Sequence, residues 1–233
     1  MPRKPPRRTR ERILATALAL FNRSGEPNVT TADIADEMNI SPGNLYYHFR
    51  NKDEIIGELY AALDAAVAPL LAGPSARAAN VEDLWLFLHL MFERMWQYRF
   101  FYRDLDEITS RNARLAARFA DLTRRSRAAV IELCRGLRAA GAMDASDHEI
   151  GALSTSVVMI TTYWMSFQRL SRAVASSPED PAEMRFEHAA AQVLALLAPY
   201  LHGPDRALVE RLGADYRDGA SAADDRSAIT RRE

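Results

Sequence analysis

Apolar residues recur along most of this chain at three- and four-residue intervals, the period of an amphipathic helix, and the two-residue alternation of a half-buried strand is absent. Ala, Leu, Arg and Glu dominate, and all four are good helix formers. The pattern predicts a first helix over 9–24, with Ile13, Leu14, Ala17, Leu20 and Phe21 on one face; Gly25 ends it and Pro27 prevents its return. Two short helices follow at 31–38 and 42–48, then a longer one over 52–71 that Gly73-Pro74 stops. Residues 73–80 read as the boundary between an N-terminal module and a larger helical domain. Beyond it the pattern predicts helices over 81–98, 100–109, 112–140, 146–174 and 181–201, then one short helix after Pro204. The last residues are small and charged and read as a disordered tail over 216–233.

Composition narrows the class. Of the 233 residues 48% are hydrophobic, enough to fold around a core. No uninterrupted apolar run reaches the roughly 18 residues of a membrane span, and the basic start lacks the apolar stretch of a secretory signal. Cys134 is the single cysteine, so an internal disulfide is excluded and a reducing cytoplasm is the expected compartment. The net charge of −1 conceals an asymmetry: residues 1–52 hold nine Lys/Arg against five Asp/Glu. A basic end on a near-neutral chain points to an anionic partner such as nucleic acid, although a solvated tail has the same composition.

The stretch 30–49 carries the most chemistry. It reads as two short helices joined by a tight turn. Thr30 with Asp33 is a capping signal, and Ile34, Ala35 and Met38 give the first helix a buried face. Asn39 tolerates the left-handed backbone that the turn needs, and Ile40 lies beneath it. Ser41 caps the second helix, Pro42 suits its first turn, and Leu45 and Phe49 point inward. Gly43, Asn44, Tyr47 and His48 are left on the outer face. A helix of this kind enters the major groove, where small residues allow close approach and Asn pairs with adenine. An ordinary helical hairpin with a polar outer face has the same periodicity.

Leu45-Tyr46-Tyr47-His48-Phe49-Arg50-Asn51-Lys52-Asp53-Glu54-Ile55 resembles the signature of the tetracycline-repressor (TetR-like) regulators. The resemblance spans about residues 9–60 and includes Phe21-Asn22-Arg23-Ser24-Gly25, Val29-Thr30-Thr31 and Ile34-Ala35. It implies an all-α protein: a three-helix helix-turn-helix DNA-binding domain over 9–52, a connecting helix over 53–73, and a C-terminal effector-binding and dimerisation domain over 74–215. It implies DNA contacts from Thr30, Thr31, Ser41, Pro42, Gly43, Asn44, Tyr46, Tyr47 and His48, with a phosphate gripped by Lys52. Ala32 stands where some members place a base-reading Arg. The chain holds 28 Arg and only two Lys, so Lys52 stands out against the composition.

In the larger domain, Met and aromatic residues cluster around 85–102 and 159–167. Such side chains line adaptable pockets as well as plain cores. The pocket candidates are His89, Phe92, Trp96, Tyr163 and Phe167. Gly151, Thr155, Val158 and Thr162, with Ala189, Ala190, Val193, Leu196 and Leu197, are the dimer-face candidates, because small and branched residues let helices approach closely. Cys134 reads as a buried filler, His148 with Glu149 lacks a third metal ligand, and Asp104, Asp106 and Glu107 read as partners of Arg99 and Arg103. No nucleotide loop, activated serine or metal framework is present, and no cofactor or metal is called for. The expected function is a repressor released from a palindromic operator by a small, largely apolar effector. The partners are double-stranded DNA and a second copy, with no membrane. An enzyme using a helical-domain pocket and a non-specific architectural DNA binder are the alternatives.

The segment 42–48 has no Arg or Lys, so the usual bidentate guanine contact is missing there. Affinity then leans on phosphates and on a basic arm over 1–8, with Arg3, Lys4, Arg7 and Arg8 continued by Arg10 and Arg12. Deleting residues 1–8 is expected to weaken DNA binding and flatten its dependence on salt, measured by titration at several ionic strengths; an unchanged slope rules the arm out.

Overall fold

The structure is a computed structural model that describes residues 6–72, 79–173 and 186–230. Among these it is all helical, with one isolated antiparallel bridge between Met143 and Leu201. The helices are α1 Pro6–Ser24, α2 Thr31–Glu37, α3 Pro42–His48, α4 Lys52–Leu71, α5 Val81–Gln97, α6 Arg99–Arg103, α7 Leu105–Arg111, α8 Ala113–Ala139, α9 Asp147–Ala173, α10 Phe186–Leu197 and α11 Gly203–Thr230, with a 3-10 turn Ala198–Tyr200 before the last. Arg3, Lys4, the Gly73-Pro74 stop, the stretch between the helices predicted at 146–174 and 181–201, and the start of the latter lie outside the described residues.

The chain divides into two units at places the pattern did not indicate. The first joins everything up to Val67 with Gln97–Ala120; the second joins Ala68–Trp96 with Asp121 onward. Within the stretch expected as a domain over 74–215, α6, α7 and the start of α8 pack with the N-terminal helices. Aromatic packing is the reason. Phe100 and Phe101 are fully buried, Phe100 against Phe21 (5.2 Å between ring centres) and Phe101 against Tyr60 (5.7 Å). Phe119 of α8 closes on the same Tyr60 at 4.7 Å. Edge-on rings at these separations add to the area they bury.

Helix boundaries differ in three further places. α1 begins at Pro6, so residues 6–8 of the expected arm are helical. The helix predicted over 100–109 is two short helices separated at Asp104, whose carboxylate is drawn toward α1 (below). The expected short C-terminal helix and disordered tail are replaced by α11, which runs to Thr230. Its start combines Pro204 in the first turn with Asp205, and its Ala-rich run is strongly helix-forming although it lacks a clear apolar stripe.

In the second unit α10 packs between α9 and α11. Asp144 donates from its backbone N–H to Tyr200 (2.8 Å) and His202 to Ala142 (3.2 Å), which ties the α8–α9 turn to the start of α11. Cys134 is buried, and burial pushes its thiol up to about 11, so it is a filler held as the unreactive thiol. Glu149 forms a capping box with Ser146 at the start of α9, which accounts for the acidic residue beside His148. The stretch Asp147–Ser171 is long and apolar enough by composition to cross a membrane, with mean hydropathy 1.2. Its apolarity comes from two faces, one buried and one exposed: Met159, Tyr163, Phe167 and Leu170 form a stripe on the outside of α9.

Phe101→Ala is expected to cost about 3–5 kcal/mol of stability, read as a shift of the denaturant midpoint. An unchanged midpoint would remove α6 from the first core.

Candidate nucleic-acid interface

The turn between α2 and α3 forms for local reasons. The Thr30 side chain accepts from the Asp33 N–H (3.2 Å) while the Thr30 N–H and hydroxyl donate to the Asp33 carboxylate, each at 2.7 Å. These bonds hold the Asp33 carboxyl below its ordinary range. Asn39 takes the left-handed conformation at φ 53°, and Ile40, half-buried, donates back to Ala35 at 3.0 Å. Ser41 then accepts the Asn44 N–H at 3.2 Å, and Pro42 occupies the first helical position. Leu45 and Phe49 are fully buried and fix which face of α3 points outward.

That outward face is bare. Ser41, Pro42, Gly43 and Asn44 are exposed, Tyr46 is 52% exposed and Tyr47 80%, and His48 lies edge-on to Tyr47. Tyr46 reaches across to α2, its hydroxyl 3.0 Å from the Thr31 hydroxyl. A side chain added at Gly43 would meet only Ser41 Oγ, at 4.0 Å, so internal packing does not demand a glycine there. Thr30, Thr31, Tyr46, Arg50, Asn51 and Lys52 line one shallow cleft beside α3. Arg50 and Asn51 were not among the expected site residues. Their signal was available: they fill the α3–α4 turn, where Asn51 caps α4 through the Glu54 N–H (2.9 Å) and Glu54 accepts the Arg50 N–H (2.8 Å).

Lys52 corrects an expectation. Its ammonium donates to the carbonyls of Glu26 (3.0 Å) and Val29 (2.9 Å) and lies 2.8 Å from Glu26 Oε1. Two of its protons go to those carbonyls, and the carboxylate oxygen adds an ion pair. The side chain is 23% exposed, so the free phosphate grip assigned to it is not the state observed. Arg10, counted with the arm, is likewise engaged: it pairs with Glu58 at 3.1 Å and lies over the Phe49 ring at 4.6 Å. The pairing raises the Arg10 pKa and lowers that of Glu58. Arg8 and Arg12 are exposed.

The second unit rearranges the other candidates. Tyr163 and Phe167 lie on the exposed stripe of α9 and do not face inward in the single chain. Phe92 is buried, Trp96 is half-buried, and His89 stacks on Trp85 with Nδ1 3.1 Å from the Tyr216 hydroxyl. Of the dimer-face candidates, Val158, Ala189, Ala190, Val193 and Leu197 are buried within one chain, and Thr162 and Leu196 are half-buried. Arg127 of α8 covers two more, bonding Thr155 Oγ1 (3.1 Å) and the Gly151 carbonyl (3.5 Å). The cause is α11: the apolar face of α10 that seemed to need a partner already has one.

Comparison with known proteins agrees with this architecture. Residues 13–59 match the family described as bacterial regulatory proteins, tetR family, and residues 63–209 match its C-terminal domain, described as bacterial transcriptional repressor. A solved TetR-family transcriptional regulator from Marinobacter aquaeolei VT8 is 36% identical, covering 89% of this chain and 98% of that one, with a TM-score of 0.79. A transcriptional regulator from Saccharomonospora viridis, solved in complex with choline, shares the fold at 22% identity over 76% of this chain and 92% of that one, with a TM-score of 0.59. The probable acrEF/envCD operon repressor of Escherichia coli K12 is 38% identical over 53 residues, 23% of this chain and 24% of that protein, so this match spans about a quarter of either length. A cap-defined helix pair with a bare outer face, on an all-helical chain matched along most of its length, has one reading: this chain belongs to the TetR family of bacterial transcription regulators, proteins that bind DNA and are not enzymes.

Proposed function

We propose that this regulator is a repressor that binds a palindromic operator as a homodimer and releases it when a small, largely apolar effector enters the C-terminal unit. The DNA surface is made by Thr30, Thr31, Ser41, Pro42, Gly43, Asn44, Tyr46, Tyr47 and His48, joined by Arg50 and Asn51 in the cleft beside them. The observation that carries this reading is the exposure of Tyr46 and Tyr47 around a glycine that no internal neighbour requires. Folding alone gains nothing from two tyrosines in water; a groove that hydrogen-bonds their hydroxyls and buries their rings does. Arg50 supplies the phosphate charge that Lys52 directs inward, and Asn44 is the base reader.

Two copies meet through the α9 stripe of Met159, Tyr163, Phe167 and Leu170, the contiguous apolar surface most in need of cover among the described residues. Their pairing sets two α3 helices about one duplex turn apart. His89, Phe92 and Trp96 on α5 remain the effector-facing candidates. The effector acts only through unequal affinity for the binding and released states, and α4, which runs from Lys52 in the first unit past Val67 into the second, is the element whose tilt it selects.

Selection from a random duplex pool is expected to return a two-fold symmetric site, and Asn44→Ala to lose about 1–3 kcal/mol of discrimination at one base pair of each half-site. Equal affinity for every duplex would make the protein an architectural binder instead. Phe167→Glu is expected to turn a dimer into a monomer by light scattering and to weaken operator binding with it; an intact dimer would place the interface elsewhere.

A further inference from the structure

The Glu26 side chain has 0% exposure although it is a carboxylate. A charge so placed is strongly disfavoured without opposite charge beside it, so its partners are not optional. One is the Lys52 ammonium at the start of α4, at 2.8 Å. The other is Arg111 at the last residue of α7, whose guanidinium binds Glu26 Oε2 and whose side chain is 39% exposed. The Glu26 backbone is held as well: its N–H donates to Asp104 Oδ2 at 2.8 Å and its carbonyl accepts from Lys52. Asp104 is steadied by Arg103 at 3.0 Å, and Arg103 also bonds the Phe21 carbonyl and the Asn22 carbonyl (3.1 Å) at the end of α1. The break between α6 and α7 at Asp104 makes this reach possible.

The loop entering α2 is therefore gripped from α4 on one side and from α6–α7 on the other. Lys52 holds Val29 in the same grip, and Thr30 and Thr31 follow directly. We propose that the Arg111–Glu26 pair is the joint through which α7 sets operator affinity: it positions the Thr30–Thr31 end of α2, without either residue touching DNA. Arg111 is a positioning residue supplied from far outside the helix-turn-helix. When it lets go, Glu26 is left with one cation, and the loop that carries Thr30 and Thr31 is no longer tied to α7. The proposal rests on the DNA-binding reading above.

The test is a titration of the full-length chain against its selected operator over a series of salt concentrations, comparing the natural chain with Arg111→Met, Arg111→Lys, Glu26→Gln and the Glu26→Gln/Arg111→Met double variant. Arg111→Met is expected to bind about tenfold more weakly, with Arg111→Lys restoring most of the loss. The double variant is expected to be no weaker than the weaker single one, because the two residues act as a pair. The salt slope should stay that of the natural chain, since a positioning residue releases no counterions; a residue on a phosphate lowers it by about one. Arg111→Met at natural affinity, a slope reduced by one, or additive losses in the double variant each overturn the proposal alone. A natural chain that selects no duplex overturns the DNA-binding reading and this proposal together. Should Glu26→Gln melt at the assay temperature, the Arg111 variants, altered at a half-exposed helix end, decide the matter by affinity, slope and lysine rescue.

Discussion

A carboxylate shut away from water governs the first unit. Glu26 sits in the loop between α1 and α2, and the charges around it come from α4, from the end of α7 and from the break between α6 and α7. Burial makes that arrangement demanding: an ion inside a protein must be met by opposite charge and by hydrogen bonds at good geometry, or the fold loses more than the contacts return. Gathering those charges fixes the entry to α2, the first turn of α4 and the end of α7 together, with Glu26 Oε1 held by its ion pair and no hydrogen bond. The helix pair that faces DNA thus inherits its placement from a polar interior as well as from the apolar one beneath Leu45 and Phe49.

The helix-turn-helix itself was legible because its determinants are local. A Thr-Asp capping pair, a left-handed asparagine and a Ser-Pro start each act within four residues, and each reads directly from the chain. What escaped were features decided at a distance. The Asp104 break is invisible in periodicity, because it answers to the Glu26 N–H and to Arg103. The union of α6 and α7 with the N-terminal unit depends on Phe100 and Phe101 finding Phe21 and Tyr60, which no spacing reveals. The burial of Glu26, beside Pro27, has no signal in the neighbouring sequence.

The errors in the second unit share one origin. α11 is Ala-rich and carries a weak apolar stripe, so composition alone suggested a short helix and a loose end. Once α11 is absent from the picture, the apolar face of α10 seems to need a second copy, and the real exposed stripe on α9 is free to be mistaken for a pocket wall. A helix expected to be short and found long thereby changes where both sets of candidates lie in the chain.

The three oxygens around Lys52 explain a quirk of composition. A compact ammonium fits between two converging carbonyls and a carboxylate; a flat guanidinium, whose donors lie in one plane, matches that cluster less well. In a chain whose other described cations, histidine aside, are arginines, this position alone holds a lysine. Shape, not charge, keeps the lysine.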